Sequence, residues 1–123
     1  MTNQKIANLT DDELVTSFEE WARARVKAVI GCDVTAATRS YGKLDAVDKE
    51  LCARGPQARG KLLVLLDHPE LPVRYYAAKR LLALEPDRAR SIIEDTKAGP
   101  FDSLALDAGM TLRALDEGIF KPA

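Results

Sequence analysis

Residues 62–84 read LLVLLDHPELPVRYYAAKRLLAL. An apolar run stops at Asp67-His68-Pro69, and after Glu70 a second segment opens at Pro72 with apolar residues at Val73, Ala77, Leu81 and Leu84. That spacing is one stripe of a helix. Proline suits a first helical turn, where its missing amide would have no partner in any case. The stretch therefore predicts two short helices around a proline-bearing turn, and the rest of the chain is read outward from it.

Helical signals run through the whole sequence. Thr10 followed by Glu13 predicts a capping box, with Asp11 and Asp12 at the positive end of the helix dipole. Leu14, Val15, Phe18, Ala22, Val26, Val29 and Ile30 then recur at helical spacing, and Gly31 can stop that helix. Asp33 or Thr35 can cap a second helix, whose expected inner face is Ala37, Tyr41, Leu44, Val47 and Leu51. Gly42 inside it costs ~1 kcal/mol relative to alanine, which predicts a close helix contact or a bend. Gly55 ends it. Four more helices are expected: Pro56 to Leu66, Pro72 to Leu84, Pro86 to just before Gly99, and Asp102 to Glu117. Strand signals are nearly absent.

The sequence also repeats itself. Shifted by 31 residues, Ala58 meets Ala89, Leu62 meets Ile93, Pro69 meets Pro100, Val73 meets Leu104, Ala77 meets Ala108 and Leu81 meets Leu112. Two helical hairpins with one contact pattern account for this. Small residues would let the second helix of each hairpin approach its neighbours, and leucines would fill the remaining space.

On these residues the stretch 62–84 resembles a HEAT repeat: an apolar first helix, a proline-bearing turn, then Val73-Arg74, Ala77-Ala78 and a leucine-rich second helix. The likeness is good over 57–84 and weak over 88–115. The short length, the long leading helix and KLDAVDKELCARG at 43–55 also resemble a family of small bacterial proteins known only as a domain of unknown function. The resemblance implies an all-α fold of about six helices in antiparallel hairpins, a short right-handed α-solenoid (α-α superhelix). It implies one domain over 1–123: a long helical hairpin cap at 10–54, a HEAT-like unit at 56–84 and a degenerate terminal unit at 86–118. HEAT-type units often pair an acid at the turn with an arginine on the next helix. Here the turn carries His68 beside Arg74, and the second unit has Gly99 and Ala105 at those places, so such a ladder cannot continue.

Composition narrows the function. A chain of 123 residues, 46% hydrophobic and 30% charged, reads as a soluble globular protein able to fold without disulfide or metal. No run approaches the ~20 apolar residues of a membrane span, and the start lacks the order of a signal peptide. The expected compartment is the cytoplasm. Cys32 and Cys52 would lie ~30 Å apart along one helix, too far to bridge, and are expected to be buried or half-buried thiols. Basic and acidic residues nearly cancel, with a modest excess of +3 over residues 54–97.

Chemistry is hard to place. His68, the single histidine, reads as a turn or cap residue. Arg74 reads as half of a salt bridge, with Asp67 or Glu70 among its candidate partners. Trp21 is assigned to the core. The pairs Asp11–Asp12 and Glu19–Glu20 diverge around their helix and build no site. No phosphate loop, metal spacing or nucleophile elbow is present, so no catalytic residue, metal or cofactor is assigned. Adjacent tyrosines differ by ~100° around a helix, so one of Tyr75 and Tyr76 is expected at the surface. With Lys79, Arg80, Arg59 and Arg88 it forms the expected interaction surface.

The leading expectation is a non-enzymatic protein–protein interaction module, an adaptor or an immunity- or antitoxin-like protein, with an unspecified protein partner and the oligomeric state open to a homodimer. The alternative is nucleic-acid backbone binding through the basic residues of 54–97. No membrane partner is expected.

Overall fold

The computed structural model describes residues 6–122. Among them no strand is present, and six α-helices follow Thr10: α1 Asp11–Ile30, α2 Val34–Arg54, α3 Pro56–Gly60, α4 Leu71–Leu81, α5 Pro86–Lys97 and α6 Asp102–Asp116. A 3₁₀ helix, Lys61–Asp67, stands between α3 and α4. The chain divides into two compact units, one ending at Leu62 and the other starting at Leu63.

In the first unit, α1 starts on the capping box that its sequence predicts. Thr10 Oγ1 accepts from the Glu13 amide at 3.1 Å, and Glu13 Oε1 accepts from the Thr10 amide at 2.9 Å. Leu14, Phe18, Ala22 and Ala28 are its buried residues. Its end is a Schellman motif: the Asp33 amide donates to Ala28 O at 2.9 Å and the Cys32 amide to Val29 O at 3.2 Å. The left-handed residue is Cys32, with φ 57°, and not the glycine before it. Asp33 then turns its carboxylate to the Ala36 amide, 3.0 Å away, and caps α2.

Helices α1 and α2 pack along one another. Arg54 ties their far ends, with Nε 2.8 Å from Glu50 and Nη1 3.0 Å from Asp11. Gly55 closes α2 with φ 111° and ψ 174°, a conformation essentially confined to glycine. Three expectations change in this unit. Ile30 and Tyr41 are exposed rather than core. A Cβ on Gly42 would meet nothing within 4 Å, so that glycine marks no close helix contact. Both thiols are exposed, because Cys32 stands in the α1–α2 turn and Cys52 lies off the buried face of α2.

The segment read as one helix from Pro56 to Leu66 breaks at Gly60 into α3 and the 3₁₀ helix. Leu62 and Leu65, three residues apart, are both buried, which suits the three-residue turn of a 3₁₀ helix. In the second unit, α4 packs against α5 and α5 against α6. Helix α4 stops at Leu81, earlier than its apolar stripe suggests; Leu84 and Glu85 both fold their amides back onto the Leu81 carbonyl, and Leu84 is exposed. The 31-residue repeat is visible in burial. Ala58 and Ala89, Leu62 and Ile93, Val73 and Leu104, Ala77 and Ala108, and Leu81 and Leu112 are all buried.

Candidate functional site

Of the expected interaction surface, Tyr75, Tyr76, Lys79 and Arg80 lie on α4, and both tyrosines are buried where one is expected outside. Tyr75 is 0% exposed and Tyr76 is 6% exposed. Adjacent residues diverge in exposure only where a helix has a single inner face. Helix α4 is covered on most sides, with Pro72, Val73, Tyr75, Tyr76, Ala77, Ala78 and Leu81 all buried. The two rings lie 5.5 Å apart in a tilted arrangement.

Tyr75 belongs to a polar clamp between α4 and α6. Its hydroxyl donates to Asp107 Oδ2 and stands 3.5 Å from Thr111 Oγ1. Lys79 Nζ reaches the same Asp107 oxygen at 3.0 Å and lies 5.6 Å from the centre of the Tyr75 ring. Burial first, and then the hydrogen bond to Asp107, push the phenol well above its ordinary titration range. Tyr75 is therefore a hydrogen-bond donor in this setting and a poor source of phenolate.

The other cations named in the sequence are also engaged. Arg59 Nε stands 3.8 Å from Asp48 Oδ1, with side chains only 16% and 9% exposed. Arg88 pairs with Asp67. Lys61 reaches Asp11 and Asp12 at 3.6 and 3.7 Å. Arg90 reaches Asp116 at 3.0 Å and Glu94 at 3.8 Å. Arg74, expected to pair with a carboxylate, donates to the His68 carbonyl at 2.7 Å. Arg80 is half-buried at the end of α4. Arg59 lies in the first compact unit, and Tyr75, Tyr76, Lys79, Arg80 and Arg88 lie in the second.

His68 works at the turn. It is buried, its Nδ1 accepts from the Glu70 amide at 3.0 Å, and its Nε2 lies 3.8 Å from the Glu70 carboxylate. Glu70 is the N-cap of α4 and makes no side-chain capping bond of its own. The imidazole thus accepts from a backbone amide at the helix entry, much as an Asx side chain does.

An open site lies elsewhere, between the C-terminal half of α1 and the N-terminal half of α2. A groove of ≈ 830 Å³ is lined on α1 by Trp21, Ala24, Lys27 and Ala28, and on α2 by Thr35, Ala36, Arg39 and Ser40, with Gly31 and Asp33 at the turn. Periodicity assigns Trp21 to the core, yet it is only half-buried; Arg39 stands 5.9 Å from the centre of its ring. A smaller hollow of ≈ 330 Å³ shares Ala28 and Asp33 and adds Arg25, Val29, Cys32 and Val34. Beside the turn, Ile30 is 57% exposed and Val34 76% exposed. The available sequence signal was the run of alanines, at 24, 28 and 36, which leaves space beside a large aromatic residue; periodicity alone places Trp21 inside.

Among the described residues, no helix is long and apolar enough to cross a membrane. No curated protein matches the chain. Among solved structures, it is similar to the crystal structure of the protein RPA1889 from Rhodopseudomonas palustris CGA009, with 34% identity and a TM-score of 0.87 over 96% of this chain and 98% of that one. A family model matches residues 12–116, from the second residue of α1 to the last of α6. The chain belongs to the family described as domain of unknown function DUF2019.

Proposed function

We propose that the protein is a non-enzymatic protein-interaction module acting in the cytoplasm, as an adaptor or an immunity- or antitoxin-like protein. The observation that carries this reading is the half-buried Trp21 lining an open groove between two helices. Tryptophan is enriched at protein interfaces and at their hot spots, and the alanines beside Trp21 leave room for a partner side chain. The contact surface is thereby moved from the buried Tyr75 and Tyr76 to the α1–α2 hairpin.

The helical architecture is proposed to be HEAT-like, a short right-handed α-solenoid. Its support is the shared burial pattern of the 31-residue repeat and the proline-bearing turn before α4. An experimental structure whose successive hairpins did not wind in a right-handed sense would remove this part of the reading.

Nucleic-acid binding has less support. A phosphate track needs cations free to release counterions, and Arg54, Arg59, Lys61, Lys79, Arg88 and Arg90 all face carboxylates.

The test is affinity capture from extracts of the native host at ~0.15 M salt, with the oligomeric state read by light scattering on the same sample. A stoichiometric protein partner, retained by the parent and lost by Trp21→Ala, is expected. Retention of no protein, together with micromolar binding to a labelled duplex that weakens steeply with salt, would replace this reading with the nucleic-acid one.

A further inference from the structure

We propose that the α1–α2 groove receives an acidic amphipathic helix from a partner protein. This assignment rests on the interaction reading above and specifies its chemistry.

The shape comes first. From Trp21 to Gly31 the groove follows α1 for ten residues, which is ~15 Å at 1.5 Å per residue. That length matches about three turns of a partner helix, enough for apolar anchors at i, i+3 or i+4, and i+7. Ala24, Ala28 and Ala36 line it with small side chains, so a helix could approach at the ~8 Å separation that small contact residues allow. Both walls are helices, and a helix laid against them can pack ridge into groove.

Charge decides the polarity of the occupant. Lys27 and Arg39 both line the groove and both are exposed. Among the described residues neither has a carboxylate partner, in contrast to the paired cations of residues 54–90. The acid in the lining, Asp33, already accepts from the Ala36 amide as the α2 cap. The groove lining therefore carries two cations against one carboxylate, beside an apolar floor. Carboxylates flanking the apolar stripe of an incoming helix would meet them, whereas lysines there would be repelled.

Trp21 is the single tryptophan of the chain, so its emission reports on the groove directly. The probe is a synthetic helical peptide of roughly 20 residues, with leucines on one stripe flanked by glutamates; its counterpart carries lysines at the glutamate positions. The glutamate peptide is expected to shift Trp21 emission with an affinity on the order of 10 μM, and the lysine peptide to leave it unchanged. Lys27→Glu/Arg39→Glu changes two exposed side chains and should keep the parent circular dichroism. It should weaken the glutamate peptide by about tenfold or more and admit the lysine peptide. Equal responses to both peptides, no response up to ~1 mM, or a response unaffected by the double variant would overturn the proposal. A host protein captured equally by parent and double variant would overturn it too, while leaving the interaction reading in place. Capture of no host protein would remove the interaction reading and, with it, the partner assigned to the groove, whatever the peptides show.

Discussion

Tyr75 on α4 donates its hydroxyl to Asp107 on α6, and Lys79 reaches the same carboxylate oxygen from one turn further along α4. One acid on the terminal helix thus holds two residues of α4. The pair that looked like a recognition surface is an internal fastening. Tyr75→Phe keeps the ring volume and removes the donor, so it should cost about 1–2 kcal/mol in urea melts. Lys79→Met should cost less than about 1 kcal/mol, because Asp107 is half open to water. A Tyr75→Phe melt coinciding with the parent would show that the hydroxyl contributes nothing.

Arg59 and Asp48 join α3 to α2 with little exposure of either side chain. Removing one charge takes a close counterion from the other in a place with little access to water. Arg59→Met should therefore cost about 3 kcal/mol, and Asp48→Leu/Arg59→Met should recover much of that loss. Chemical denaturation of the two variants makes the comparison. A double variant no more stable than the single one would show that the pair does not act as a unit.

His68 accepts from the Glu70 amide through Nδ1. An asparagine oxygen can accept from the amide two residues ahead. His68→Asn should then melt within about 0.5 kcal/mol of the parent, and His68→Leu, which has no acceptor, should lose about 1 kcal/mol or more. The same loss in both variants would point to ring packing rather than hydrogen bonding.

Two backbone positions are open to improvement. Gly42 lies inside α2 with free space where a Cβ would stand. Gly42→Ala should stabilise by about 0.5–1 kcal/mol. Cys32 holds φ 57° at the Schellman position, where glycine carries no steric penalty. Cys32→Gly should stabilise by about 1 kcal/mol. Thermal melts at fixed pH decide both; a lower midpoint for either would contradict the local geometry.

Acid should loosen the start of α1. The Arg54 hydrogen bond holds Asp11 below the ordinary carboxylate value of 3.8, and the Thr10 amide holds Glu13 below 4.5. Both folded-state values are depressed. Their stabilisation is complete above the unfolded values and is lost as pH falls through the lower folded ones. Melting midpoints measured from about pH 6 down to about pH 2 should fall below about pH 4, and Asp11→Asn should flatten that decline. An identical acid slope in Asp11→Asn would assign the loss to other carboxylates.

Much of the helical order was legible in the chain because it is local. A capping box, prolines in first turns and a glycine at a helix end act within a few residues, so Thr10, Pro56, Pro86 and Gly55 could be read directly, while the α2 cap was narrowed only to Asp33 or Thr35. The repeat was legible for the same reason: its buried positions follow helical spacing. Leu84 and Ile30 fit their stripes equally well and are exposed. Periodicity reports which residues share a face, not how far along a helix that face stays covered.

What the sequence by itself determined was an all-helical chain, its caps and turns, and most of its small-residue and leucine contacts. Only the tertiary structure decided that α4 is covered on nearly all sides, that Trp21 lines an open groove, and that Arg54, Arg59, Lys61, Lys79, Arg88 and Arg90 meet acids while Lys27 and Arg39 do not. The physical reason is that propensity and capping are properties of neighbouring residues. Burial and charge pairing depend on which residues distant in sequence arrive at the same place: Asp107 lies 32 residues from Tyr75, and no local pattern records that meeting.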